Sequence, residues 1–301
     1  MAFLTRPPRQ TSRSSERQAR RRLGQHFLVD REVAARIVAA AELDDRPPVL
    51  EIGAGLGALT DLLREATDHL YLVEIDPGLV NVLLARYQAD PAVVIIEGDV
   101  LRVDLPQLSG EASVYVVGNL PYSVASQILL RLVELRWWCP GAVVMLQEEV
   151  ARRVAAKPGG HDYGVLTLLI QIYADVTWCF HVSRRSFSPM PRVESAVIRL
   201  HLHATPRVPM ADLTLFQHLV RSLFQHRRKM IRNTLGGFLA TVDVGAAEAG
   251  AVLHEAGIDA SVRPEQVSLE EFAALTAAVL GRRPRQHEVA GSRRSRSRSP
   301  R

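Results

Sequence analysis

Short apolar runs separated by helix-like segments constrain the fold of this chain more than any other feature of its sequence. Five of these runs predict strands: 49–52, 69–74, 93–97, 114–117 and 142–146. Three segments in which apolar residues recur about every 3.6 positions predict helices: 31–43, 59–65 and 77–87. Strands that alternate with helices are typical of a parallel sheet covered by helices on both faces. We therefore predict the α/β class, with a doubly wound and mostly parallel sheet.

The pattern changes in the last third of the chain. Residues 195–203 alternate between apolar and polar side chains, which predicts an antiparallel strand that closes the sheet. Pro206 and Pro209 then mark a hinge, and every later segment predicts a helix: 213–239, 245–256 and 269–280. The predicted organisation is a basic tail at 1–22, a sheet domain at 23–206, a small all-helical domain at 207–280 and a second tail at 281–301.

Basic charge is concentrated at the two ends of the chain. Residues 1–22 contain seven Arg and one Glu, and residues 281–301 contain eight Arg and one Glu. Since the whole chain has a net charge of +5, residues 23–280 carry −8. Ends that are rich in Arg and Ser bury too little apolar surface to fold, and their Arg side chains suit nucleic-acid phosphates. We predict two disordered, phosphate-binding tails on an acidic body.

Cysteine, histidine and apolar content narrow the class of protein. Cys139 and Cys179 are too few for a disulfide scaffold and are predicted to be packing groups. The ten His form no H-E-x-x-H or other ligand spacing, which predicts no catalytic metal. No stretch approaches the roughly 18 apolar residues of a membrane span, and the first residues lack the apolar core of a signal peptide. These observations predict a cytoplasmic protein that is not bound to a membrane.

A glycine-rich loop and two acids point to a nucleoside site. The loop, Glu51-Ile52-Gly53-Ala54-Gly55-Leu56-Gly57, follows the first long strand and opens a helix, where glycines let the backbone approach a ligand closely. Glu74 ends the second strand and could accept both ribose hydroxyls, and Asp99 after the third could accept from an adenine amino group. The carboxyl ends of parallel strands meet at one edge of the sheet, where ligands bind. This pattern does not separate NAD from S-adenosylmethionine.

The tetrapeptide Asn119-Leu120-Pro121-Tyr122 follows the fourth strand at the same edge. The Asn119 side-chain oxygen and the Leu120 carbonyl can both accept from an exocyclic amine, which aims the nitrogen lone pair at a methyl donor. Tyr122 offers a face on which a flipped base can stack. The rate would come from positioning and hydrogen-bond polarisation, with no dedicated general base. The tetrapeptide therefore favours S-adenosylmethionine as the cofactor.

Several short segments between residues 23 and 280 match motifs of one family. They are Leu23-Gly24-Gln25-His26-Phe27-Leu28, residues 51–57, residues 119–122, residues 147–151, Lys157-Pro158-Gly159, Asp162-Tyr163-Gly164, residues 187–195, Arg227-Arg228-Lys229 and Arg232-Asn233. Through them the chain resembles the bacterial small-subunit ribosomal RNA adenine dimethyltransferases. The resemblance implies a Rossmann-like methyltransferase sheet and dimethylation of the N6 amino groups of two adjacent adenosines near the 3′ end of that RNA. It also implies a monomer that acts on the immature small ribosomal subunit.

The resemblance assigns roles to the residues at matching positions. It implies cofactor contacts from Gln25, His26, Leu28, Gly53, Gly55, Gly57, Glu74, Asp99 and Asn119. It implies that the target base is received by Asn119, Leu120, Pro121 and Tyr122, with Phe187 as the second aromatic wall. It implies RNA-backbone contacts from Arg227, Arg228, Lys229 and Arg232, and the sequence predicts a helix there with Arg228 and Arg232 on one face. His26 stands where the family commonly has Asn, and Ala54 where it commonly has Pro.

Three alternatives stay open at this point. The large-subunit RNA adenine N6-methyltransferases that confer macrolide resistance share the sheet domain, but Leu120 and the basic residues 227–233 argue against them. A non-catalytic assembly or transcription factor on the same fold is disfavoured by the intact Asn119, Glu74 and Asp99. An NAD oxidoreductase is disfavoured by the glycine spacing.

Overall fold

The structure, a computed structural model, describes residues 25–283. The predicted tail at 1–22 and most of the one at 281–301 lie outside the described residues. The described chain forms two compact units. The first runs to Pro209 and includes Glu265–Glu270, and the second comprises Met210–Pro264 and the residues from Glu271 onward.

The strands of the first unit form a short ribbon and a large sheet. The ribbon pairs β1 (Phe27–Leu28) with β8 (Phe187–Ser188). The large sheet contains β2 (Val49–Ile52), β3 (Leu70–Glu74), β4 (Val93–Glu97), β5 (Tyr115–Asn119), β6 (Gly141–Gln147), β7 (Ala174–Val182) and β9 (Ser195–Leu202). Its order is β4-β3-β2-β5-β6-β9-β7, parallel from β4 to β6, with β9 antiparallel to both of its neighbours. The predicted doubly wound, mostly parallel α/β fold is confirmed.

Helices connect the strands of this unit. They are α1 (Arg31–Ala39), α2 (Thr60–Ala66), α3 (Pro77–Tyr87), α4 (Leu105–Leu108), α5 (Ala125–Glu134), α6 (Glu148–Val154) and α7 (Val165–Gln171). The bounds of α3 match the prediction because its start is marked in the sequence. Asp76 accepts from the Gly78 N–H at 2.7 Å, and Pro77 occupies the first turn, where its missing N–H costs nothing.

The core of the first unit lies along the central strands. Val143 and Met145 of β6 are fully buried and belong to one apolar cluster with Leu63 of α2 and Leu83 of α3. A parallel sheet with both faces covered requires such continuous apolar runs, which is why β6 reads as an unbroken apolar stretch. Of the two free cysteines, Cys139 is buried and Cys179 is half-buried. The packed centre of the sheet therefore holds the carboxyl ends of the central strands in place.

The prediction for the antiparallel end of the sheet was incomplete. β9 does not close the sheet, because it lies between β6 and β7, and β7 forms the edge. β7 was not predicted. Most of its side chains are half-buried or exposed, and a register irregularity between Trp178 and Phe180 interrupts the simple alternation of an edge strand.

The second unit is helical, with α8 (Leu213–Phe224), α9 (Ile231–Ala240), α10 (Ala249–Glu255) and most of α11 (Leu269–Leu280). The prediction of one continuous helix at 213–239 was wrong. The chain leaves the helix after Phe224, the Lys229 N–H donates to the His226 carbonyl at 2.8 Å, and Met230 is extended. The Ile231 N–H then donates to the Val262 carbonyl at 2.7 Å. Arg227, Arg228 and Lys229 therefore lie in a turn, which we call the basic loop (residues 225–230).

The start of the predicted C-terminal tail is held by ion pairs within the second unit. Arg282 pairs with Glu248 at 3.1 Å and with Glu255, and Arg283 lies 4.0 Å from Asp212. Arg282 and Arg283 therefore pair with carboxylates of the second unit. Among the helices of residues 25–283, none is both long and apolar enough to cross a membrane.

Candidate active site

The carboxyl ends of the central parallel strands border a cavity of about 550 Å³. This edge is where ligands bind in doubly wound sheets. The lining includes ten of the predicted site residues: Gln25, His26, Leu28, Gly53, Glu74, Asp99, Asn119, Leu120, Pro121 and Tyr122. Gly55, Gly57 and Phe187 are outside the lining.

The glycines of the loop after β2 have different tasks. Gly53 lines the cavity with φ at +72°, and a Cβ there would lie 3.4 Å from the Asn119 carbonyl oxygen. Gly57, with φ at +83°, faces α3, because a Cβ there would lie 2.8 Å from an Arg86 guanidinium nitrogen. Both backbones occupy the left-handed region that favours glycine. Gly53 therefore shapes the cavity, and Gly57 lets the loop pack against α3.

Glu74 anchors this loop from the end of β3. It is buried, and its Oε2 accepts from the Gly55 N–H at 3.0 Å. Its Oε1 accepts from the N–H groups of Ile75 and Asp76 at 2.9 and 3.0 Å. Burial raises the pKa of Glu74, although these three bonds act in the opposite direction. A carboxylate offers about four acceptor positions, so Glu74 retains capacity to accept from a ligand in the cavity.

Two further side chains of the lining, Glu51 and Gln25, have acceptor oxygens that suit a ligand with N–H donors or positive charge. Glu51, which had no predicted role, is 1% exposed and accepts from the Thr60 hydroxyl at 2.7 Å. Burial raises the pKa of Glu51 to about 8, and the nearby carboxylates of Glu74 and Asp61 add to the rise. The side-chain Oε1 of Gln25 is also buried and has no hydrogen-bond partner among residues 25–283. Buried acceptors of this kind are costly unless a partner is supplied.

Asp99 reaches the cavity from the turn after β4. Its Oδ1 accepts from the Leu101 N–H at 2.9 Å, and its Oδ2 lies 3.5 Å from Arg102. The turn thus fixes the carboxylate in place and leaves it capacity to accept from a ligand amine.

Asn119 ends β5 with its amide oriented by the N-terminal segment. Its Nδ2 donates to the His26 carbonyl at 3.4 Å. With the nitrogen engaged, the Oδ1 is the end that can accept from an incoming amine. The Leu120 N–H donates to the Met145 carbonyl of the neighbouring strand at 2.9 Å, which ties the tetrapeptide to the sheet.

Tyr122 and His26 lie side by side in the cavity lining. Their ring centroids are 6.0 Å apart and the planes are tilted by 32°. The Tyr122 hydroxyl lies 2.6 Å from the Ser195 Oγ, and the His26 Nδ1 lies 2.7 Å from the Pro189 carbonyl oxygen. The acceptor side of the cavity is thus held by contacts to residues 189–195.

Comparison with known proteins identifies the family. The sequence matches the family described as ribosomal RNA adenine dimethylase over residues 16–278. The chain belongs to this family. It is 42% identical to ribosomal RNA small subunit methyltransferase A of Geobacter sulfurreducens over 87% of this chain and 95% of that protein. The protein of the same name from Shouchella clausii is also 42% identical, over 85% of this chain and 88% of that one.

Solved structures agree with this placement. A dimethyladenosine transferase from Plasmodium falciparum superposes with a TM-score of 0.73 at 23% identity, over 83% of this chain and 96% of that one. This likeness supports the fold. The 23S rRNA methyltransferase ErmE superposes with a TM-score of 0.66 at 29% identity, over 84% of this chain and 99% of that one. The relatives with the small-subunit name are thus the more similar in sequence.

Phe187 lies outside the cavity lining, in the ribbon formed by β1 and β8. It is 4% exposed, pairs with Leu28 in the β1–β8 ribbon and belongs to the apolar core cluster. In this conformation the ring beside Tyr122 is that of His26. A second aromatic wall formed by Phe187 stays a prediction.

The predicted RNA-contact residues belong to the second unit. Arg228, Lys229 and Arg232 are exposed, but Arg228 and Arg232 do not share a helix, because the basic loop interrupts it.

Within residues 25–283, His, Cys, Asp and Glu side chains form no group of three that could hold a metal ion.

Glu74→Gln is expected to weaken binding of S-adenosylmethionine by roughly tenfold or more. The amide lacks the charge that makes a hydrogen bond from a hydroxyl worth about 1.5–3 kcal/mol, and its NH2 group would face a backbone N–H that the carboxylate now accepts. Calorimetric titration measures the change in Kd. Glu97→Gln is the matched control, because Glu97 ends the neighbouring strand β4 and is exposed outside the cavity lining. An unchanged Kd for Glu74→Gln would remove this residue from the cofactor site.

Proposed function

We propose that this chain is an S-adenosylmethionine-dependent dimethyltransferase that acts on the N6 amino groups of adenosines in small-subunit ribosomal RNA. The observation that carries the proposal is the position of Asn119, Leu120 and Tyr122 in the lining of the same cavity as Glu74 and Asp99. One cavity thus combines acceptors for an exocyclic amine with acceptors for a nucleoside cofactor. The name of the relatives at 42% identity supports the same substrate.

The lining offers acceptors for three polar groups of the cofactor. Glu51 and the unpartnered Gln25 Oε1 suit the ammonium group, the remaining acceptor position of Glu74 suits a ribose hydroxyl, and Asp99 suits the adenine amine. When bound, S-adenosylmethionine supplies an electrophilic methyl group on a positively charged sulfur. The chain's own part is to hold the donor with these acceptors at the strand ends.

The acceptor side works by positioning. Asn119 Oδ1 and the Leu120 carbonyl accept the two N–H groups of the adenine amine, which directs the nitrogen lone pair away from the base plane. Tyr122 supports the base by stacking. The methylated amine then carries positive charge and is acidic enough to lose a proton to water, so no side chain has to act as a general base. Preorganised acceptors of this kind contribute through electrostatics and geometry.

The family resemblance supports a finer description of the substrate. It favours two adjacent adenosines near the 3′ end of the RNA, each methylated twice, in an immature small subunit. The same proposal places the enzyme in the cytoplasm and has it act as a monomer. Sedimentation of the purified chain with and without subunits would test the monomeric state. Leu120 within the tetrapeptide, and the lower identity to ErmE, favour this substrate over large-subunit RNA.

The proposal is tested by methyl transfer from labelled S-adenosylmethionine to immature small subunits and, separately, to large-subunit RNA. Dimethyladenosine at two adjacent positions of the small-subunit RNA is expected, with none on the large-subunit RNA. Methylation of large-subunit RNA alone would favour the resistance-type enzyme. Binding to subunits without any transfer would favour a non-catalytic assembly factor.

We further propose that the basic loop and Arg232 contact the RNA backbone. Arg228, Lys229 and Arg232 are exposed, and none of them has a carboxylate within 4.0 Å among the described residues. Exposed Arg and Lys side chains are available to neutralise phosphates, which releases condensed counterions. Arg232 also helps to lower the pKa of Asp259 within the second unit.

Replacing Arg228, Lys229 and Arg232 by Ala is expected to weaken RNA binding equally for all sequences. The slope of log affinity against log salt should fall by about 2 to 3, since each phosphate contact contributes about 0.7 to 0.9. Binding assays at several salt concentrations measure the slope. Arg46→Ala, which removes an exposed arginine already paired with Asp68, is the control. Equal slopes for the triple variant and the wild type would place the RNA elsewhere.

A further inference from the structure

A hydrogen bond links the tyrosine of the acceptor pocket to the interior of the sheet. Ser195 is the first residue of β9, where it pairs with Gln147 of β6 and with Val182 of β7. Its side chain is fully buried, and its Oγ lies 2.6 Å from the Tyr122 hydroxyl. Because Ser195 pairs with strands on both of its sides, the tip of the half-buried Tyr122 ring is tied to the hydrogen-bonded sheet.

This bond controls the plane of the ring on which the base would stack. A phenol ring without a partner at its hydroxyl can tilt, and the stacking surface tilts with it. The tilted His26 imidazole lies beside the ring with the two centroids 6.0 Å apart, and the hydroxyl is the only hydrogen-bonding group that the Tyr122 ring carries. Burial raises the pKa of Tyr122, so its hydroxyl stays protonated and able to bond to Ser195. The orientation of the ring therefore depends on the Tyr122–Ser195 bond.

The first and the second methyl transfer to one adenine amine depend to different degrees on the orientation of the Tyr122 ring. An unmethylated adenine amine has two N–H groups, one for Asn119 Oδ1 and one for the Leu120 carbonyl. A monomethylated amine has one N–H group, so one of these two hydrogen bonds is lost. The base must then be aligned mainly by stacking on Tyr122. A small loss of alignment costs rate steeply in a transfer that needs a near-attack geometry.

We propose that Ser195 is a positioning residue whose hydroxyl holds Tyr122 in the orientation that the second methyl transfer requires. The inference rests on the proposed function, because it concerns the second transfer of that reaction. It makes Ser195 a determinant of whether the product is monomethyl- or dimethyladenosine.

The test compares Ser195→Ala, Tyr122→Phe and the double variant, each as the full chain with immature small subunits. Both single variants remove the same hydrogen bond while keeping the stacking ring. In single-turnover assays the rate of the second transfer is expected to fall about tenfold and that of the first by less than about threefold. Monomethyladenosine should therefore accumulate, and the Kd for S-adenosylmethionine should not change. The double variant should show no further loss, because the bond is already absent.

Ser186→Ala is the matched control, since Ser186 is also a buried serine of this region but bonds to Asp30 at 3.0 Å. It should leave the product ratio unchanged. A wild-type ratio of products in both single variants would overturn the inference, and so would an effect of Ser195→Ala that Tyr122→Phe does not reproduce. If the wild type itself formed no dimethyladenosine, the proposed function would fail instead, so the two failures are distinguishable.

Discussion

Asn119→Ala is expected to reduce methyl transfer by at least a hundredfold while the Kd for S-adenosylmethionine changes only a few-fold. The side-chain oxygen of Asn119 is one of the two proposed acceptors for the target amine, and its Nδ2 is engaged with the His26 carbonyl. Removing one preorganised polar group from a transition state costs about 3 kcal/mol of barrier. Glu74 and Asp99, the groups that we propose hold the cofactor, are untouched. The loss should therefore fall on the chemical step.

Single-turnover transfer to small subunits measures this rate, and calorimetry measures the cofactor Kd. Asn81→Ala is the control, because Asn81 lies on α3 outside the cavity lining. Transfer at a near-normal rate by Asn119→Ala would show that the acceptor pocket lies elsewhere. A large rise in the Kd with an unchanged rate for bound enzyme would assign Asn119 to the cofactor instead.

The sequence predicted the fold best where local chemistry and tertiary packing agree. β2 and β4 have the predicted bounds because apolar β-branched runs end at an acid or a glycine, and α3 does because Asp76 and Pro77 mark its start. Between residues 148 and 194, by contrast, α6, α7, β7 and β8 were not predicted. β7 carries Val, Thr, Trp and Phe, which favour strands, but its irregular register hides the alternation.

The break after α8 had no local signal of the usual kind. Neither Gly nor Pro occurs between Phe224 and Ile231, although residues 225–229 contain no apolar side chain. The turn is stabilised by the hydrogen bond from Ile231 to Val262, a residue 31 positions later, which no local pattern could reveal. A second hint was the spacing of Arg228 and Arg232, since like charges four residues apart on a continuous helix are destabilising.

At the site, residue types were predicted more reliably than their contacts. The strand-end acids and the tetrapeptide do share one cavity, because parallel strands bring their carboxyl ends together. The sequence could not tell that Gly57 faces α3, since the approach of Arg86 is a tertiary contact. It also gave no role to Glu51, because the significance of that carboxyl comes from its burial.

Glu51→Gln is expected to stabilise the free protein as the pH rises. Glu51 has a folded-state pKa of about 8, against an ordinary value of 4.5. Between these values the folded state binds a proton that the unfolded state has released, so stability that is fully present below about pH 4.5 is lost as the pH approaches 8. Gln keeps the acceptor for Thr60 and does not titrate. At about 1.4 kcal/mol per pH unit, the variant should gain roughly 3 kcal/mol over the wild type between pH 5 and pH 8.

Urea unfolding at pH 5, 6.5 and 8 measures this gain, and Glu97→Gln, at an exposed strand end, should show little change at any pH. A difference between Glu51→Gln and the wild type that does not grow with pH would mean that Glu51 is ionised in the folded protein.

The Glu51 carboxyl lowers stability near neutral pH, and its position in the cavity lining gives it a compensating role in ligand binding. An ionised Glu51 would pair with a positively charged ligand that an amide would hold less well. Glu51→Gln should therefore gain less in thermal stability than the wild type on adding S-adenosylmethionine, although it starts from a higher midpoint. If the ligand stabilised both proteins equally, Glu51 would be a structural acid with no contact to the cofactor's charge.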